Sequence, residues 1–208
     1  MGLNPYNNEN TNLTMRIQRN NLYFCLFVCL FILLFSLCST KHKHPETIDV
    51  IKEWIDKDIL VPNNVSCCIL GKDTTKYKCT CLLESKYKIL LYVDSTGCSD
   101  CRLKLFLWKQ LIEETDSLFS DKLSFLFFLQ PKNDEDLFYL IRGNDFNYPV
   151  FIDRKNEINQ LNNFPQQQEY QCFLLDKNNK VLFLGNPAIN PNIWELYKRY
   201  ILDKDKFE

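Results

Sequence analysis

The sequence lacks an excess of charge of either sign. Its 208 residues carry 25 basic and 26 acidic side chains, which gives a formal net charge of −1. Proteins that bind nucleic acid or an anionic membrane surface by electrostatics concentrate basic residues in one patch or segment. This balance gives no electrostatic case for either partner, and we expect no binding to nucleic acid.

Histidine is also scarce. The two histidines, His42 and His44, follow an apolar segment near the N-terminus. A tetrahedral zinc ion held by one cysteine pair needs two further ligands. The sequence therefore predicts no metal site, and no motif in it indicates a cofactor.

Cysteine, by contrast, is abundant, with ten residues. Three of the ten lie in the apolar segment near the N-terminus. So many cysteines suggest a compartment in which disulfides persist. The chain is 46% hydrophobic, which is enough to fill the core of a domain.

The N-terminus reads as a targeting or anchoring segment. Residues 1–21 form a polar tail, and residues 22–38, "LYFCLFVCLFILLFSLC", carry no charge. As a helix this run would be roughly 25 Å long, near the short limit for a transmembrane span. Arg16 and Arg19 precede it, as expected for a signal sequence. We therefore predict a membrane anchor, and the cysteine-rich remainder of the chain favours a domain that faces outward.

Two kinds of anchor remain open. Cys38 resembles the cysteine that is lipidated in lipoprotein signals, but Leu37 stands where a small residue is usual. An uncleaved transmembrane segment fits the run equally well. Met15 begins "MRIQRNN", which would make a compact signal-peptide start, so it is a candidate initiator.

Residues 39–84 form a cysteine-containing extension. Its first part, 44–59, predicts an amphipathic helix with Ile48, Ile51 and Trp54 on the apolar face, together with Ile55. The rest has turn signals between short runs that favour strands.

The extension carries four cysteines, Cys67, Cys68, Cys79 and Cys81. We favour structural disulfides or plain thiols for them. A second dithiol that exchanges electrons with another pair, and a four-thiolate zinc site, are the alternatives. The spacing is unusual for zinc, and the pairing cannot be read from sequence.

Residues 85–208 alternate strands and helices. "YKILLYVDS" and "KLSFLFFLQP" predict buried strands, and "NDEDLFYLIRGN" predicts a helix capped by Asn133. A short strand is predicted for "YPVFID" and a short helix for "KNEINQLNNF". The stretch "YQCFLLDKNNKVLFLGN" predicts a hairpin, and "NPNIWELYKRYIL" predicts the last helix. The fold class is therefore α/β, with a mixed sheet flanked by helices and no internal repeat. Trp54, Trp108 and Trp194 read as core residues.

Between the first strand and a helix predicted over 98–117 lies Cys98-Ser99-Asp100-Cys101. In this context a C-x-x-C sequence indicates a redox-active dithiol. Amide groups at a helix start stabilise a thiolate, which favours Cys98 as the attacking cysteine. Cys101 would then resolve the mixed disulfide.

Together with "YPVFID … CFLLDKNNKVLFLGNP … IWELYKRYI", this motif resembles the thioredoxin-like fold, and especially the membrane-tethered thiol-disulfide oxidoreductases of bacteria. The resemblance covers roughly residues 85–202. It implies a redox function for Cys98 and Cys101, with thiols or disulfides of proteins or small molecules as partners.

The chain departs from the family pattern at two positions. Gly97 replaces an aromatic residue before the first cysteine, and Tyr170 occupies the place of the family's cis-proline. Gly97, Tyr170 and Gln171 are candidate residues of a substrate groove. These departures leave open a catalytically inactive thioredoxin-like binding or scaffolding module with a structural disulfide.

Two further residues lie near the predicted site. Asp94, four residues before Cys98, is either a proton acceptor for the resolving thiol or a residue that caps the turn with Ser95 and Thr96. Cys172, in the first strand of the hairpin, reads as a small buried hydrophobic residue.

Overall fold

A computed structural model describes residues 47–63, 66–69, 80–96, 103–119 and 122–205. The chain divides into compact units at Met1–His44 and Pro45–Glu208, so every described residue belongs to the second. The predicted tail, anchor and Cys38 therefore lie outside the described residues. No helix in the described ranges is long and apolar enough to cross a membrane.

The described elements follow the order that the sequence predicts from residue 85 onward. The helices are α1 Thr47–Trp54, α2 Thr80–Leu83, α3 Leu105–Phe119, α4 Asp134–Gly143, α5 Glu157–Asn162 and α6 Pro191–Asp205. The strands are β1 Ser66–Cys68, β2 Tyr87–Val93, β3 Leu123–Leu129, β4 Val150–Ile152, β5 Cys172–Leu175 and β6 Val181–Leu184.

The strands form one sheet in the order β1-β4-β3-β2-β5-β6. Strands β2, β3 and β4 are parallel, whereas β5 pairs antiparallel with β2 and with β6. This confirms the predicted mixed sheet and terminal hairpin. The extension contributes to the same sheet, because β1 pairs antiparallel with β4 at one edge.

Apolar side chains cover both faces of this sheet. All seven residues of β2 and of β3 are buried. Ile89 and Leu91 face the side that packs against α3, α4 and α6, and Leu90 and Tyr92 face the side of α1 and α5. Because alternate residues of a strand point to opposite faces, a strand covered on both sides must be apolar along its length. The three tryptophans are buried, as predicted.

Helix α1 buries part of the predicted apolar face and one residue outside it. Val50 and Trp54 are buried and Ile55 is partly buried against the same cluster, whereas Ile48 is 59% exposed and Ile51 38% exposed. The prediction was therefore confirmed at Trp54 and wrong at Ile48 and Ile51. The Trp54 ring packs 5.2 Å from the ring of Phe173.

The helix predicted over 98–117 is interrupted at Lys104. Within the described residues, Leu103 is helical and α3 starts at Leu105, while residues 98–102 lie outside the description. Lys104 has a φ of 43°, in the left-handed region, and its carbonyl accepts a hydrogen bond from the Leu107 N–H at 2.9 Å. A left-handed residue interrupts a right-handed helix, so the predicted span is not one continuous helix.

Helix termini elsewhere agree with the capping signals. The Asn133 side chain accepts a hydrogen bond from the Glu135 N–H at 3.0 Å, as predicted for the start of α4. Buried Asp153 plays the same role for α5, accepting from the N–H groups of Glu157 at 2.8 Å and Ile158 at 2.9 Å. These bonds satisfy amides that a helix start leaves unpaired.

Candidate dithiol site

The chain turns sharply at the carboxyl end of β2. The Val93 carbonyl accepts a hydrogen bond from the Gln130 N–H at 2.8 Å, which joins the ends of β2 and β3. The Asp94 Oδ1 then accepts from the Thr96 N–H at 2.8 Å and from the Thr96 hydroxyl at 2.6 Å. This turn fixes the direction in which the chain leaves the sheet.

The predicted redox pair lies just beyond this turn in the sequence. Gly97, Cys98 and Cys101 fall outside the described residues. The described chain resumes at Leu103, which is buried, and continues through Lys104 into α3. The motif is thus bracketed in sequence by Thr96 on one side and Leu103 on the other.

Asp94 has the bonds of a turn cap. Both contacts to Thr96 fall on the same carboxylate oxygen, Oδ1. The side chain is half-buried. This geometry supports the capping interpretation of Asp94, and its role as a proton acceptor stays a prediction.

Gln171 and Tyr170 lie beside the end of β2. Gln171 is buried; its Nε2 donates to the Pro165 carbonyl at 2.8 Å, and its own carbonyl accepts from the Tyr92 N–H at 3.0 Å. The Tyr170 hydroxyl bonds the Thr47 hydroxyl at 2.7 Å. The structure therefore brings Gln171 next to the strand that leads to Asp94, while the Tyr170 hydroxyl reaches the start of α1. The described ranges contain no cis peptide bond.

Cys172 behaves as a core residue. It is 1% exposed, and burial raises the pKa of its thiol far above the usual range. Its carbonyl accepts from the Gly185 N–H at 2.9 Å, which joins β5 to the end of β6. A thiol that resists ionisation is a poor nucleophile, so Cys172 is not part of the reactive site.

The extension cysteines fall in two places. Cys67 on β1 is half-buried and takes part in a disulfide. Cys81 on α2 is exposed. The Cys68 side chain and Cys79 lie outside the description. The disulfide of Cys67 favours the structural interpretation among the alternatives for this group.

Two buried polar side chains hold α2 against the sheet, and the sequence analysis missed both. The Lys88 Nζ donates to the carbonyls of Leu83 at 3.3 Å and Lys177 at 2.9 Å. The Ser124 hydroxyl donates to the Leu82 carbonyl at 2.6 Å. Burial lowers the pKa of Lys88, and only the charge of Asp176 opposes that shift. The one signal available was a single lysine inside an otherwise apolar strand.

No three metal-ligating side chains come together within the described ranges.

The chain is similar in structure to several thioredoxin-like proteins. StoA from Bacillus subtilis is 16% identical, with a TM-score of 0.43 over 67% of this chain and 99% of that one. The thioredoxin from Wuchereria bancrofti is 17% identical, with a TM-score of 0.46 over 64% of this chain and 94% of that one. The thioredoxin domain of a thiol-disulfide oxidoreductase from Bacteroides vulgatus is 13% identical, with a TM-score of 0.43 over 66% and 98%.

No family model and no curated protein sequence matches this chain.

Proposed function

We propose that this protein is a membrane-anchored thiol-disulfide oxidoreductase whose redox pair is Cys98 and Cys101. The observation that carries the proposal is the position of the motif between two described segments. The capped turn at Asp94 and Thr96 ends the central strand β2, and the chain returns to the core at Leu103. Cys98 follows Thr96 by two residues in the sequence, and Cys101 precedes Leu103 by two.

The proposed reaction moves two electrons from the dithiol of Cys98 and Cys101 to a disulfide of the partner. The Cys98 thiolate attacks a partner disulfide, forms a mixed disulfide and releases one partner sulfur, which takes up a proton. The Cys101 thiolate then attacks the Cys98 sulfur, which frees the second partner sulfur and leaves Cys98–Cys101 oxidised. Asp94 would accept the proton that Cys101 loses. The reverse sequence oxidises a partner dithiol.

Amides at a helix start would stabilise the Cys98 thiolate in this proposal. Residues 97–102 lie outside the described residues, and the described chain continues in helical conformation at Leu103 before the left-handed Lys104 and α3.

The remaining parts of the proposal concern location and partners. Residues 22–38 would anchor the protein in a bacterial membrane, through an uncleaved helix or a lipid on Cys38, with the domain in the periplasm. Residues 39–84 and 85–208 would form the extension and the thioredoxin-like domain. The partners would be protein or small-molecule thiols and disulfides.

The test is a comparison of two cysteine variants. Cys98→Ser should abolish reduction of insulin or of a dithiol dye, because no attacking sulfur remains. Cys81→Ser is the matched control, since it removes an exposed thiol elsewhere, and should keep wild-type activity. Wild-type activity in Cys98→Ser would end the proposal.

A second candidate function is a binding or scaffolding module with a passive disulfide. It is favoured by Gly97 and Tyr170, where the family pattern is broken, and by the hydrogen bond that commits the Tyr170 hydroxyl to Thr47. The reduction potential of the 98–101 pair separates the two functions. A potential well below about −300 mV indicates a structural bond, and a higher one favours catalysis.

A further inference from the structure

A cleft of about 300 Å³ lies between α3 and the segment that joins α4 to β4. Helix α3 contributes Lys109, Ile112 and Glu113, and the joining segment contributes Asn147 and Tyr148, with Asp145 at its start. This volume is at the lower end of the range of small-ligand sites, and it suits a single side chain of a partner better than a large cofactor.

The wall opposite α3 is preformed. Asp145 has a φ of 47°, and its N–H donates to the Arg142 carbonyl at 3.0 Å. Phe146 is 1% exposed and anchors the segment in the core. The Tyr148 hydroxyl accepts a hydrogen bond from the Phe125 N–H at 3.1 Å. A ligand that enters the cleft therefore does not have to order this wall, which lowers the cost of binding.

The charges of the cleft do not cancel. The Lys109 Nζ lies 3.1 Å from the Asp145 Oδ2, and the Asn147 Nδ2 donates to the Asp145 Oδ1 at 3.2 Å. These contacts make a neutral pair and hold the pKa of Asp145 below its usual range. Glu113 has no ion pair within the described part of the chain. The lining thus carries one uncompensated negative charge, beside Ile112 and Tyr148.

We propose that this cleft binds a lysine or arginine side chain of the polypeptide on which the dithiol acts. The carboxylate of Glu113 would pair with the cationic group, and Ile112 and the ring of Tyr148 would cover the aliphatic stem. This inference rests on the proposed function for the identity of the partner, but the recognition itself does not depend on redox chemistry.

Helix α3 sets the distance between its first turn and the cleft. Glu113 lies eight residues after Leu105, about 12 Å along the helix axis. The Phe106 side chain, 61% exposed on the first turn, offers apolar contact along that path. An extended peptide covers about 12 Å in roughly four residues. A partner segment that lies along α3 from its first turn would therefore reach Glu113 with about four residues.

The experiment measures binding of unreactive peptides by fluorescence anisotropy. Each peptide carries serine in place of the reacting cysteine, and either arginine or its neutral isostere citrulline five positions away. The wild-type protein should bind the arginine peptide about fivefold more tightly, as expected for one partly exposed ion pair. Glu113→Gln should remove that preference and leave the affinity for the citrulline peptide unchanged.

Two further variants test whether the preference for arginine depends on the charge at Glu113 itself. Asp116→Asn makes the same change of charge on an exposed residue of the same helix that does not line the cleft, and should keep the preference. Glu113→Lys should reverse it, favouring a peptide with glutamate at that position. Equal binding of the arginine and citrulline peptides by the wild type, or an unaltered preference in Glu113→Gln, would overturn the inference.

The outcome is independent of the proposed function. If the arginine preference holds while Cys98→Ser keeps full activity, the redox proposal fails and the binding site stands. If Cys98→Ser is inactive but arginine gives no advantage, the oxidoreductase stands and the cleft does not recognise its partner.

Discussion

The two ends of the central strands β2 and β3 are held together by different kinds of contact. At the amino ends, buried Lys88 and Ser124 donate hydrogen bonds to carbonyls of α2 and of the turn between β5 and β6. At the carboxyl end of β2, Asp94 accepts hydrogen bonds from Thr96, two residues away. The side-chain bonds from Lys88 thus reach a partner 89 residues away, whereas the bonds between Thr96 and Asp94 stay within one turn.

Because of this difference, we expect the two ends of the strands to contribute differently to the stability of the protein and to the proposed reaction. Buried polar bonds are costly to break, because the groups left behind cannot reach water. A turn at the surface can be altered at little cost, because water replaces the lost partner. Substitutions at the amino ends should therefore change stability without changing the reaction, and substitutions beside the predicted dithiol should do the opposite.

The largest effect is expected for Lys88→Met. Methionine nearly preserves the volume of the side chain but leaves the carbonyls of Leu83 and Lys177 without their donor. The free energy of unfolding should fall by about 2 kcal/mol in denaturant titrations. Activity per folded molecule should not change, and a specific loss of activity would show that the two ends are coupled.

The same variant makes a prediction about pH. Burial lowers the pKa of Lys88 below its usual 10.5, so the unfolded chain retains the lysine proton at pH values where the folded protein has lost it. The unfolded state then binds more protons, and stability rises with pH. The advantage of wild type over Lys88→Met should therefore grow as pH approaches 10.5 from below, as measured by denaturation at each pH. A constant difference would show that Lys88 does not titrate in that window.

Ser124→Ala should have a smaller effect at the same end. It removes the donor to the Leu82 carbonyl but no charge. The expected loss of stability is about 1 kcal/mol. Ser117→Ala is a matched control, because the Ser117 hydroxyl makes a comparable bond to the Glu114 carbonyl at an exposed position. A larger loss for Ser117→Ala than for Ser124→Ala would contradict the role of burial.

The variant Asp94→Asn tests the carboxyl end of β2, beside the predicted dithiol. The amide oxygen of asparagine can still accept from Thr96, so stability should change by no more than about 0.5 kcal/mol. If Asp94 accepts the proton of Cys101, the rate of reduction should fall about tenfold or more and its pH profile should lose one ionisation. An unchanged rate and profile would leave Asp94 as a turn cap only.

The smallest effect is expected for Tyr170→Phe. The variant loses one exposed hydrogen bond to Thr47 and keeps the ring. Unfolding free energy should change by a few tenths of a kcal/mol, within the range of ordinary surface changes. Kinetics with peptide substrates would then show whether Tyr170 contributes to a groove, because any rise in KM would not be a consequence of lost stability.

The sequence predicts the sheet well where apolar runs are long. Strands β2 and β3 are buried on both faces, so their composition alone identifies them. The cap at Asn133 and the β5–β6 hairpin also carry local signals that no distant contact overrides. These elements depend on neighbours in the chain, which is why a pattern of residues is enough to predict them.

The rest depends on contacts between distant segments. The pattern of α1 does not show that Val50, and not Ile48 or Ile51, joins Trp54 in the core, because the residues that cover them come from distant segments. Nothing in the sequence shows that Lys88 finds acceptors at Leu83 and Lys177. At the candidate site, the C-x-x-C motif was recognisable, but the interruption of the helix at Lys104 was not, because lysine carries no sequence signal for a left-handed conformation.

The outer edge of β6 affects the tendency of the protein to aggregate at high concentration. Residues 56–59 run along the start of this edge. Val181 accepts a hydrogen bond from the Asp56 N–H and donates one to the Lys57 carbonyl, both at 2.9 Å. The Ile59 N–H donates to the Asn179 carbonyl, also at 2.9 Å. An uncovered edge strand is a template on which a second chain can add and start aggregation. Here residues 56–59 occupy the part of that template from Asn179 to Val181, so a second chain can add there only after they are displaced.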